Sequence, residues 1–210
     1  TGLSTHELNQ PGCYRDVKDT TCTAQFRILD PKAEMEGWGT PVFLAWTTTP
    51  WTLPSNVALC VNPVDTYCKV KAADGYTYYM AEALLDKVLG KLATEDVPAY
   101  EILESYKGID LEHKEYEPLF DYVKPICEKQ NKKAFFITAD SYVTMTDGTG
   151  IVHIAPAFGE DDAKVGRRYD LPFVQLVDGK GEMTEPTPYV GTFVKKADPL
   201  VLVDLDKAGL

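Results

Sequence analysis

Apolar and polar positions alternate with a period of two along much of the chain, the spacing of half-buried strands. Ala24–Leu29 (AQFRIL) is predicted to be one such strand. Pro41–Trp46 (PVFLAW) is apolar throughout and predicts a strand covered on both faces. Val57–Val61 and Tyr67–Lys71 predict two more, separated by Asn62-Pro63. Tyr76–Met80 follows Asp74-Gly75, a pair suited to a hairpin turn. Tyr100–Tyr106, Ala134–Thr138, Thr149–Ile154 and Phe173–Val177 complete the expected strands.

The period changes at Ala81–Leu92, where Leu84, Leu85, Val88, Leu89 and Leu92 fall on one helical face. Gly90 weakens the end of that helix. Gly159–Tyr169 has acids at its front and Lys164, Arg167 and Arg168 behind, a polarity that suits a helix dipole. Asp198–Lys207 predicts a last helix. Loops are expected over Pro31–Gly39 and over Glu112–Lys133, the latter with a short apolar piece at Pro118–Val123. Asp147-Gly148 and Asp178–Gly181 are expected turns. Strands and helices do not alternate regularly, so a doubly wound parallel sheet is disfavoured. The pattern predicts a mainly β fold, a barrel-like core with peripheral helices.

With 210 residues, 44% of them apolar and 25% charged, the chain suits one domain over 1–210. Thr1–Pro11 is polar and does not read as a signal peptide, and no apolar run approaches a bilayer span. The chain starts at Thr1 and stops inside an amphipathic stretch, from which a piece cut from a longer protein is expected. Its five cysteines, at 13, 22, 60, 68 and 127, form no C-x-x-C pair. They are neither a disulfide framework nor a zinc signature, and a reducing cytoplasm is the expected compartment. Cys60 and Cys68 sit in strand-like runs as packing residues. The net charge of −11 argues against broad binding to a nucleic-acid backbone, so any such ligand should enter through a local site.

Two segments carry candidate chemistry. Trp46–Asn56 (WTTTPWTLPSN) places four threonines and an asparagine on a loop stiffened by Pro50 and Pro54. Hydroxyls donate and accept, so such a surface can hold a water, a sugar hydroxyl or an ester oxygen. Gly148–Asp162 (GTGIVHIAPAFGEDD) runs from a strand bearing His153, through a break, to acids opening a helix. A strand histidine is ordinarily a packed core residue and helix-opening acids are ordinarily caps. A carboxylate there also suits a substrate ammonium. His6 and His113 sit in polar segments and are expected to be solvated. Neither a phosphate loop nor a G-x-S-x-G elbow is completed. No metal or other cofactor is expected.

Together, in this order, the two segments resemble the editing domain of class I synthetases for branched aliphatic amino acids. The likeness is strongest over Phe43–Val61 and Asp147–Gly166. WTTTPWTLPSN resembles the isoleucyl-tRNA synthetase version. The valyl and leucyl relatives usually carry an Arg after two threonines, then Pro and an acid, where this chain has Thr49 and Trp51. The resemblance implies a closed, distorted β-barrel core. Neither a HIGH-like nor a KMSKS-like activation motif is present, so this stretch is not expected to activate isoleucine.

An activation pocket sized for isoleucine rejects valine poorly, because one missing methylene is worth only about 1–3 kcal/mol. A second, smaller pocket that hydrolyses the valyl product meets that need. The resemblance implies that Asp162 grips the α-ammonium and that His153 lines the amino-acid pocket and excludes isoleucine. It places Thr48 and Thr49 at the reacting ester and its water. Thr47, Trp51, Thr52 and Asn56 are then expected around the terminal adenosine and the loop that holds it. Valine, the 3′ end of tRNA(Ile) and the remainder of the synthetase are the expected partners, and no membrane is expected. Whether valyl-adenylate is also cleaved stays open. Three rival readings stand beside this one: valyl or leucyl editing specificity, a β domain that holds RNA ends without cleaving them, and an unrelated hydrolase. A panel of charged tRNAs separates the first from the isoleucyl reading.

Overall fold

The computed structural model describes residues 9–14, 16, 19–29 and 41–210. The loop expected over residues 31–39, and His6, lie outside the described residues.

The strand patterns assemble into two sheets. In the first, β1 (Cys22–Arg27) pairs antiparallel with β2 (Val42–Thr47), setting Phe26 opposite Phe43. On its other side β2 runs parallel to β5 (Thr77–Ala81). Antiparallel pairing then continues to β4 (Thr66–Ala72) and β6 (Tyr100–Lys107). The order is therefore β1-β2-β5-β4-β6. The β4–β5 hairpin turns where expected: Gly75 adopts φ 90° and Asp74 Oδ1 accepts the Tyr76 N–H at 3.0 Å.

The second sheet has three strands, with β3 (Ala58–Val61) between a parallel β7 (Phe136–Ala139) and an antiparallel β8 (Ile151–Ile154). Its alternation separates two apolar clusters. Leu59, Val61, Ile137, Ala139 and Ile151 face the larger core with Phe26, Phe43 and Tyr79. Ala58, Cys60, Phe136 and Ile154 face a smaller one with Val165, Leu171 and Val174. Cys60 and Cys68 are both fully buried, as packing residues should be.

No ladder among the described residues joins the two sheets into one ring. They meet instead around Thr149: its hydroxyl donates to the Leu44 carbonyl, and its own carbonyl accepts the Ala81 N–H at 3.0 Å. Tyr67 adds a bond from its hydroxyl to the Gly150 carbonyl, 2.6 Å.

The helical regions depart most from expectation. The amphipathic run at 81–92 is broken into a short α1 (Leu85–Leu89) flanked by 3-10 turns. Residues 112–133, expected to be loop, contain a 3-10 turn and α2 (Lys124–Lys129), which buries Cys127. A charged surface had masked its one apolar side. Residues 173–177 form no strand: Val174 and Leu176 are buried with the expected alternation, yet only Val177 finds a bridge partner, Met183. The side chain of Gln130 holds the Phe173 N–H and carbonyl instead, at 2.8 and 2.9 Å. Gly159–Tyr169 yields α3 (Glu160–Arg168). The last helix, α4 (Val194–Ala208), starts a turn earlier than expected, with Pro199 inside it. Among the described residues, no helix is long and apolar enough to cross a membrane.

Candidate functional site

The threonine segment leaves β2 at Thr47 and enters a 3-10 turn over Pro50–Ser55. Pro50 suits the first position of such a turn, where its missing N–H costs nothing. The turn is buried except for Trp51, so it is a fixed part of the fold. Three hydroxyls line up along it. Thr47 Oγ1 lies 3.3 Å from Thr49 Oγ1 and accepts the Thr49 N–H at 3.1 Å. Thr49 Oγ1 lies 3.2 Å from Thr52 Oγ1. Thr52 Oγ1 in turn lies 3.0 Å from Nε2 of His153, on β8. Thr48 stands apart from this chain, exposed at the mouth of the turn.

The shortest of the Thr52 hydroxyl contacts assigns a His153 tautomer. Thr52 spends its one hydroxyl proton on the Thr49 carbonyl, 2.8 Å away. With that assignment its oxygen accepts from His153, which places the ring proton on Nε2. Nδ1 is left as a bare acceptor, buried and with no hydrogen-bond partner among the described residues. Burial pushes the His153 pKa down from 6.5 to about 4, and the ring is neutral near pH 7. Buried polar atoms ordinarily find a partner, and Nδ1 has none among the described residues.

Asp162 reaches the exit of β8 from α3. It is the third residue of α3, and its Oδ2 accepts the Ala155 N–H at 2.9 Å. Ala155 lies two residues beyond His153, at the exit of β8. Gly159, just before the helix, makes room: a Cβ there would stand 2.9 Å from the Asp162 carboxyl carbon. Burial raises the Asp162 pKa, and the Ala155 N–H opposes that rise. Asp161 differs. It is exposed and paired with Lys164 at 3.0 Å.

The two segments touch a second time where Trp51 packs edge-on against Phe158, ring centroids 5.1 Å apart. Asn56 serves the scaffold: its amide nitrogen donates to the Ala58 carbonyl at 2.8 Å, and its oxygen accepts the Tyr116 hydroxyl at 2.7 Å. So Thr47, Thr49, Thr52 and His153 form one hydrogen-bonded chain, and Asp162 anchors the loop just beyond it. Sequence reasoning missed Phe158, Tyr116 and Asp198, whose carboxylate accepts the Trp51 N–H at 2.8 Å. Asp198 is 147 residues from Trp51, and no local pattern links them.

The site offers a row of hydroxyls, a neutral imidazole and a half-buried carboxylate. A set of this kind can hold a polar ester and a cationic group by position.

No protein-family profile matches the chain. It is 49% identical over 208 residues to an isoleucine–tRNA ligase of Bacteroides fragilis, matching 92% of this chain and 18% of that protein. It is 44% identical over 210 residues to the isoleucine–tRNA ligase of Clostridium novyi, matching the whole chain and again 18% of the relative. The chain thus spans 18% of the length of these relatives. The crystal structure of the editing domain of P. knowlesi cytosolic leucyl-tRNA synthetase superposes with a TM-score of 0.65. That match covers 90% of this chain and 93% of the other at 17% identity, which speaks for a shared fold.

Proposed function

Because this chain belongs to the isoleucine–tRNA ligase family and has the fold of a synthetase editing domain, we propose that it hydrolyses valine wrongly attached to tRNA(Ile). The observation that carries this reading is the hydroxyl chain Thr47–Thr49–Thr52 ending on His153, two residues before the backbone held by Asp162.

In this reading Asp162 receives the α-ammonium of the aminoacyl group. An arriving cation offsets the burial that raises the carboxyl pKa, so binding favours the ionised form. A neutral His153 matters here, since an imidazolium beside the ammonium would repel it. The ring and the Thr52 side chain bound the space for the amino-acid side chain. Thr48 and Thr49 stand at the ester and its attacking water, with Thr47 and Asn56 supporting the loop and Trp51 flanking the adenosine. Water adds to the ester carbonyl and the ester C–O bond breaks. Valine leaves with the water oxygen, and the terminal ribose recovers its hydroxyl. The ester is already activated, so positioning supplies much of the rate.

The same reading includes residues 1–210 as one editing domain of a longer synthetase. In it, the two sheets close into a distorted barrel, for which the Leu44–Thr149 and Ala81–Thr149 bonds give support. The acidic surface is consistent with other parts of the synthetase holding the tRNA body.

The test is deacylation of Val-, Ile- and Leu-tRNA by the intact synthetase and by its Thr49→Val and Asp162→Ala variants. Rapid release of valine alone, lost in both variants, is expected. Equal release from all three tRNAs, or full activity in both variants, rules the reading out.

A further inference from the structure

A threonine that opens a helical turn ordinarily spends its side-chain oxygen on the backbone N–H two or three positions on. Thr49 opens the Pro50–Ser55 turn, yet its side chain makes no such bond. The Thr52 N–H, third in the turn, goes to the Thr49 carbonyl at 2.9 Å. The Trp51 N–H, second in the turn, goes to Asp198 Oδ1 at 2.8 Å. Asp198 lies on α4, far away in the chain, and is 4% exposed. Its second oxygen faces Lys195 Nζ at 3.7 Å, and Lys195 is itself paired with Asp19 at 2.6 Å. The carboxylate is thus held with one oxygen aimed at the turn.

We infer that Asp198 is a positioning residue for the editing reaction: it caps the threonine turn from outside and so leaves the Thr49 hydroxyl to the chain of Thr47, Thr52 and His153. This inference rests on the proofreading function proposed above. Without the Asp198 oxygen, the part-buried Trp51 N–H loses its acceptor. The nearest remedy is rotation of the Thr49 hydroxyl into the ordinary capping position, which removes it from the site. A neutral amide oxygen at 198 would still accept the bond, so the role depends on an acceptor and not on a charge.

Val-tRNA(Ile) deacylation by the intact synthetase tests this with four enzymes beside the wild type: Asp198→Ala, Asp198→Asn, Thr49→Val, and the double variant Asp198→Ala/Thr49→Val. Asp198→Ala should slow deacylation on the order of tenfold, the scale of one part-buried donor left without its acceptor. Charging with isoleucine should not change, and Asp198→Asn should restore most of the editing rate. The loss caused by Thr49→Val should be smaller in the Asp198→Ala background, because the hydroxyl has already left the site. Wild-type editing by Asp198→Ala overturns the inference, as do equal Thr49→Val losses in the two backgrounds. If Asp198→Ala fails to fold, Asp198→Asn still decides: near-wild-type editing supports the role and a collapse of editing with intact charging overturns it. A wild-type synthetase that leaves Val-tRNA(Ile) intact, or an unimpaired Thr49→Val single variant, would instead fault the proofreading reading itself.

Discussion

Thr52 Oγ1 and His153 Nε2, 101 residues apart in sequence, lie 3.0 Å apart across the meeting of the threonine turn and β8. The contact joins the two candidate segments, and with the Thr52–Thr49 bond it assigns the ring proton to Nε2. Because Thr52 donates to the Thr49 carbonyl, its oxygen is free only to accept. Nitrogen-15 NMR of the protein should therefore show His153 as the neutral Nε2–H tautomer at pH 7. An Nδ1–H tautomer would refute the assigned hydrogen-bond direction.

The same ring should make stability depend on pH. Its folded pKa of about 4 lies below the ordinary 6.5, so the unfolded chain takes up the proton first as pH falls. The His153 contribution to stability is intact above about pH 6.5 and is lost on acidification down to about pH 4. The full loss is on the order of 3 kcal/mol for a gap of this size. Urea unfolding at pH 7.5 and pH 5 should show a smaller difference for His153→Gln than for the wild type.

Size selection should fail when the ring is cut away. His153→Ala opens the space beside Thr52 by more than the one methylene that separates valine from isoleucine, a difference worth about 1–3 kcal/mol. The variant synthetase should release isoleucine from Ile-tRNA(Ile), which under the proposed function the wild type spares. Unchanged sparing would remove His153 from the sieve.

For Asp162, the amide and alanine variants separate two jobs. Asp162→Asn keeps an oxygen for the Ala155 N–H and loses the charge that the proposed function assigns to the ammonium. Its Val-tRNA deacylation should fall on the order of 100-fold, the cost of one partner lost from a charged pair, with the fold unchanged. Asp162→Ala should match it in activity and melt lower, since the Ala155 N–H loses its acceptor. Equal melting temperatures would mean that the Ala155 contact contributes nothing to stability.

Behind the turn, Tyr116→Phe should leave the Asn56 oxygen without its buried donor. A loss of about 1–3 kcal/mol in urea unfolding is expected. Isoleucine selectivity should not change, because the Asn56 side chain is bonded to Ala58 and Tyr116 and not to His153.

Much of this was written locally. The strand periods, the Asp74-Gly75 and Asp178–Gly181 turns, and the acid-fronted helix at 160–168 follow from spacing and turn chemistry, which act between near neighbours. The two chemical segments were legible for the same reason: each is a contiguous run. What spacing left out was longer in range. The alternation at 173–177 was real, but a strand needs a partner, and here Gln130 supplied the bonds that a neighbouring strand would have made.

The chain by itself determined which residues are candidates for chemistry, because side-chain type and near-neighbour pattern are local properties. Only the tertiary structure decided how they act together. It set Thr52 against His153, stripped water from the ring so that it stays neutral, and brought Asp198 from the last helix to the N–H of Trp51. Burial and the direction of a hydrogen bond depend on what the folded chain places alongside a group, and no spacing along the sequence encodes that.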